Sequence, residues 1–151
     1  MFGRDKSTTS DKSSNELQAE VSAQPRNPLL RYLLSRKLLS EGQNEMGLVH
    51  ALQSVELSGD ATLSQEKQAG IRENLANAFL NNKMPMAAQT TALEALNAGI
   101  DSAHLRVRLA QALSQLGVHE KAIEQANAAI NMSPGDSWFE DVRSSITARA
   151  A

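Results

Sequence analysis

Three histidines, His50, His104 and His119, are the only imidazoles in the sequence, and there is no cysteine. Any nitrogen-ligated metal or His-based acid–base chemistry would rest on them. They are far apart in the chain, with no HExxH motif and no i, i+4 pair, so they do not form a ligand set. They read as histidines of the surface or of a groove edge. Without thiols, disulfides, thiolate zinc sites and a cysteine nucleophile are excluded. Glu120 and Glu124 stand one helical turn apart on a face expected to be exposed, which makes them solvated charges rather than an acid–base couple. No GxSxG, P-loop or glycine-rich phosphate cradle occurs. The sequence predicts no enzyme, no cofactor and no metal.

With no chemistry to position, the elements themselves become the question. Of the 151 residues 41% are apolar but only 3% aromatic, so a core must be built from alanine and leucine, which suits helices at close range. Lys and Arg total 15 against 17 Asp and Glu, with no basic block, which disfavours a nucleic-acid partner. No run of about 18 apolar residues is present, and the amino terminus lacks an apolar segment behind its charges. These features predict a soluble, cytoplasmic protein with no direct membrane insertion.

Residues 1–26 are dominated by Ser, Thr, Asp, Lys, Asn and Gln, the composition of a segment that cannot offset its ordering entropy. A disordered tail is expected there, with one or two transient helical turns capped at Ser13 to Glu16 and carrying Leu17 and Val21. Phe2, isolated among polar residues, is a candidate recruitment anchor. From Pro28 the pattern becomes helical. Leu29, Leu30, Leu33, Leu34 and Leu38 keep a helical period, and Met46, Leu48, Val49, Leu52, Val55 and Leu57 follow after a break at Glu41 to Asn44. Helices joined by so short a turn must lie antiparallel.

The same plan recurs. Ile71, Leu75, Ala76, Phe79 and Leu80 precede a turn at Asn81 to Lys83. Pro85 then opens a helix with Ala88, Ala92, Leu93, Ala95 and Leu96. Laid over the stretch that follows at one constant offset, Leu75 and Ala76 fall on Leu109 and Ala110, Phe79 on Leu113, Ala88 on Ala122, Ala92 on Ala126, Ala95 on Ala129 and Leu96 on Ile130. The first pair fits the frame less closely, with Gly42, Gly47, Ala51 and Ser54 in matching places, and Asp60 to Gln68 inserts about seven residues in a turn before the second unit. Ser137-Trp138-Phe139-Glu140 reads as a capping box opening a final helix, with Trp138, Phe139, Val142 and Ile146 on the side that covers the last pair.

A helix–turn–helix unit recurring every ~34 residues, with Leu109-Ala110, Leu113, Gly117, Ala122, Ala126, Ala129 and a closing Pro134, resembles the tetratricopeptide repeat family. The resemblance covers Pro28 to Gly135. Lys83 departs from it at a turn glycine and Ile100 at a closing proline. It implies an all-α fold, a right-handed α-solenoid of antiparallel helix pairs. The chain is then divided into a tail at 1–26 and a tetratricopeptide-like domain at 27–151, with units at about 28–61, 69–102 and 103–136 and a capping helix at 137–150.

In the family the first helices line a concave groove that holds extended or helical peptides. The positions so implied are Tyr32 and Arg36 in the first unit, Glu73, Asn77 and Asn81 in the second, and His104, Val107, Arg108, Gln111 and Gln115 in the third. Trp138 and Asp141 would add to them from the capping helix. The side-chain amides at i, i+4 can bond a peptide backbone without demanding one side chain. A lysine-rich clamp for a carboxylate-ended chaperone tail is not matched, because Tyr32, Arg36 and Asn77 occupy its places. The expected function is a protein-interaction module, an adaptor or scaffold docking a protein or peptide partner. A cytoplasmic chaperone for an exported or secretion-system subunit in a bacterial assembly is a second reading. A self-associating scaffold that uses the edge of the first unit is a third.

Overall fold

A computed structural model describes residues 11–151; Phe2 and the first part of the expected tail lie outside the described residues. Among the described residues there are eight α-helices and no strand: α1 (Ser14–Ala23), α2 (Pro28–Ser40), α3 (Asn44–Ser58), α4 (Gln65–Asn81), α5 (Pro85–Asn97), α6 (Ala103–Gln115), α7 (His119–Met132) and α8 (Ser137–Ala150). They divide into two compact units, one up to Thr62 and one from Leu63 to Ala151.

In the first unit α2 packs against α1 on one side and α3 on the other. Helix α1 lies in the stretch expected to be disordered. Its capping box is formed, with the Glu16 amide donating to Ser13 Oγ at 3.1 Å and the Ser13 amide to Glu16 Oε1 at 3.3 Å. Leu17 and Val21 are buried against Leu34 and Leu38, flanked by Leu30 and Leu33. Burying each contributes about 1.5–3 kcal/mol. That gain comes from a surface supplied by α2, and with the capped helical hydrogen bonds it acts against the ordering entropy of the segment. Leu17 stands one repeat length before Ala51 of α3, so α1 takes the place that the second helix of a preceding pair would take. It covers the face of α2 that such a helix would cover.

Helices α2 and α3 approach closely at Gly47. A Cβ placed there would lie 2.6 Å from Leu39 Cδ2 and 3.3 Å from the Leu39 amide nitrogen. The hydroxyl of Ser35 donates to the Gly47 carbonyl at 2.7 Å across the same contact.

In the second unit α4 pairs with α5 and α6 with α7, and α8 closes the row against α6 and α7. Ala92, Ala95, Ala110, Ala122, Ala126 and Ala129 are all buried, among Leu105, Leu109, Leu113, Phe139, Val142 and Ile146. Small side chains at the crossings let the helix axes approach, while Phe139 fills the space under the last helix.

The helix starts differ by role. Helices α4, α6 and α8 are capped by the side chains of Ser64, Ser102 and Asp136. The expected capping box at Ser137 is therefore displaced: Asp136 is the N-cap, its Oδ1 accepting from the Trp138 amide at 3.0 Å, because a carboxylate at that place accepts from the first free amides. Helices α3, α5 and α7 have no side-chain cap. The amides of Gln43, Met84 and Val118 instead donate to the carbonyls of Leu38, Phe79 and Leu113 at 2.9 Å, which splices each second helix directly onto the first. The residue before each donor is left-handed: Gly42 (φ 79°), Lys83 (φ 62°) and Gly117 (φ 81°). Helix α4 also starts earlier than the insertion in the sequence implied. Ser64 caps it, and Gln65 to Gln68 add one turn ahead of the repeat frame.

Candidate protein-binding site

Within the second unit the first helices touch one another, α4 with α6 and α6 with α8, whereas the second helices α5 and α7 do not. The row is therefore closed up along α4, α6 and α8, and the surface on that side is drawn inward. This surface carries most of the residues expected in a groove.

At its centre is Arg108. Its Nε donates to Glu73 Oε2 at 2.6 Å and its Nη1 to Gln111 Oε1 at 3.0 Å. The guanidinium carbon sits 5.4 Å from the centroid of the Trp138 ring. Trp138 in turn stacks on His104, with centroids 5.6 Å apart, and meets the edge of Phe139 at 5.2 Å. One cation thus links α4, α6 and α8, and its charge is balanced by that of Glu73. Around it, Asn77 is half-buried, while Asn81, Gln115, Asp141 and His104 are exposed. Trp138 is 37% exposed, so part of its ring is open to contact while the rest rests on its neighbours.

Val107 does not belong to the surface. It is 0% exposed, in the core with Leu105 and Leu109, because α6 is contacted by α4, α5, α7 and α8 together and its apolar sector is wider than one stripe. Tyr32 and Arg36 belong to α2 of the first unit. They engage each other, with Arg36 Nη1 donating to Tyr32 Oη at 3.3 Å and its guanidinium 5.5 Å from the ring centroid.

Several polar clusters are invisible in a reading by repeat register. Arg31 ties three segments of the first unit together: its Nε donates to the Pro25 carbonyl at 2.8 Å, and its Nη1 meets Gln53 Oε1 and lies 3.3 Å from His50 Nδ1. His50 is buried. Burial, then the neighbouring Arg31 charge, lowers its pKa below the ordinary 6.5, so it is neutral where an exposed histidine would be half charged. In the second unit Arg106 donates to both oxygens of Asp101 and to Gln125, and the Asp101 hydrogen bond raises its pKa. Among the described residues no group of three His, Asp or Glu could hold a metal, and no helix is long and apolar enough to cross a membrane.

No family model matches the sequence, and no curated protein matches it. A solved structure does: a chain built of tetratricopeptide repeats in the crystal structure of the APC/C hetero-tetramer Cut9-Hcn1, at a TM-score of 0.75 over 87% of this chain. The fold is tetratricopeptide-like. Sequence identity is 20%, and the match covers 26% of that chain, so this chain spans about a quarter of its neighbour's length and the likeness is one of fold.

Proposed function

We propose that the chain is a protein-interaction module whose second unit holds a segment of a partner protein along α4, α6 and α8. The observation that carries this reading is a register. Asn77 and Asn81 on α4 recur one repeat length later as Gln111 and Gln115 on α6, on helices in direct contact, beside a cation already neutralised by Glu73. Amides both donate and accept, so two such pairs on adjoining helices suit the main chain of a bound segment. The exposed part of Trp138 adds an apolar contact at the α8 end.

Affinity capture with wild type and with Asn77→Ala plus Gln111→Ala tests the site. Loss of a partner with the double variant supports it, and retention of every partner overturns it. The same capture separates the roles such a module can play. A partner that remains folded and abundant in cells lacking this chain identifies an adaptor, whereas one whose level collapses identifies a chaperone. For self-assembly through the edge of the first pair, the relevant face of α2 is already covered by Leu17 and Val21 of α1. A constant monomer mass in light scattering over a wide concentration range excludes it.

A further inference from the structure

Counted from their N-caps Gln43, Met84 and Val118, the three second helices present the same four outward positions. On α7 these are Glu120, Glu124, Asn127 and Asn131; on α5, Met86, Thr90, Leu93 and Asn97; on α3, Glu45, Val49, Leu52 and Glu56. All twelve are exposed. The α7 row is polar, as a solvated helix face should be. The α3 row is not. Val49 and Leu52, joined by the adjacent Met46, are 44%, 44% and 49% exposed, three large apolar side chains within two turns of one helix.

Charge distinguishes this stripe from the apolar residues of α5. Glu45 and Glu56 bracket it about 16 Å apart, at about 1.5 Å per residue. Neither is in an ion pair among the described residues. Helix α3 contains no Lys or Arg, and its one imidazole, His50, is buried beside Arg31 of α2. We infer that the outer face of α3 docks an amphipathic helical segment of a partner protein whose apolar stripe is flanked by basic residues about three turns apart.

The bracket of acids selects against the other occupants. A second copy set face to face on a twofold axis would bring glutamate onto glutamate in either helix direction, which is repulsive. An anionic lipid surface would be repelled as well. A helix with Lys or Arg at both flanks turns the same two charges into attraction, while its apolar residues cover Met46, Val49 and Leu52.

Selection from a displayed library of helical peptides of about 16 residues, with the full chain as bait, tests this. Enriched peptides should carry Lys or Arg on both sides of an apolar stripe. Their affinity should fall about tenfold or more with Val49→Ser plus Leu52→Ser, as for removal of central contacts, and should be unchanged by Asn77→Ala plus Gln111→Ala. Glu45→Lys plus Glu56→Lys should shift enrichment to acidic flanks. Because these side chains are exposed, circular dichroism melting should show every variant folded. Absence of enrichment, enrichment without basic flanks, or binding that survives Val49→Ser plus Leu52→Ser overturns the assignment. So does a dimer abolished by that pair, or equal adsorption to phosphatidylserine vesicles.

Discussion

Arg108 of α6 donates to Glu73 of α4 at 2.6 Å, and both side chains are mostly withdrawn from water, at 17% and 19% exposure. The contact joins two successive helix pairs through their first helices. Removing one partner leaves the other charge partly desolvated, so Glu73→Gln should lower stability by about 1–3 kcal/mol in urea unfolding. The only tryptophan, Trp138, lies on the Arg108 guanidinium, so its fluorescence should change in the folded variant. An unchanged midpoint would show that the pair is an ornament of the surface.

Gly47→Ala places a methyl against Leu39, under the separation that real Cβ atoms tolerate. The gain in helix propensity, about 1 kcal/mol, opposes an overpacking cost of about 1–3 kcal/mol. A net loss is expected in thermal unfolding, accompanied by a weakened Ser35 contact. Ala51→Gly in the same helix should cost only the propensity and the lost methyl, without that steric component.

Lys83 is the one non-glycine residue with positive φ among the described residues. Gly117 fills the matching turn one repeat later. A left-handed conformation costs a residue with a Cβ about 1–2 kcal/mol, part of which glycine returns as chain entropy in the unfolded state. Lys83→Gly should stabilise the second unit by up to about 1 kcal/mol, read from the urea midpoint at unchanged m-value. Gly117→Lys should do the reverse.

His50 supplies a pH dependence of definite sign. Its folded-state pKa lies below the ordinary 6.5 because of burial and then Arg31. Above about 6.5 both states are neutral and its stabilising contribution is intact. As pH falls through that value the unfolded chain takes up a proton that the folded chain refuses, so stability declines until the lowered folded pKa is reached. His50→Gln should flatten this part of the profile. A His50 resonance titrating at its ordinary value in NMR would contradict the mechanism.

Truncation tests the packing of α1. Removing residues 11–26 along with everything before them strips Leu17 and Val21 from Leu34 and Leu38 and should lower the stability of the first unit by several kcal/mol, about 1.5–3 for each side chain. Proteolysis should then cut within α2.

Much of the helical plan was legible because it rests on local physics. A helical apolar period, glycine at two of the three left-handed turns inside the helix pairs, and alanine where helices cross are each dictated within a few residues of chain, and Ala88, Ala92, Ala95, Ala122, Ala126 and Ala129 are all buried. The groove was less legible. Register placed Arg108, Gln111 and Trp138 on a common face but also placed Val107 there, since the number of helices surrounding α6 is not written in α6. Nor did it reveal that Arg108 is committed to Glu73, or that Arg31 holds Pro25, Gln53 and His50 together.

The sequence by itself determined how tightly the paired helices turn and that the pairs repeat, because left-handed turns and side-chain periodicity act over one or two helical turns. Only the tertiary structure decided that Ser14–Ala23 is helical, that Val107 is core, and that Val49 and Leu52 remain on the outside. Burial depends on which surfaces distant segments bring together, and a segment with two large apolar residues orders only when another helix supplies the face that covers them.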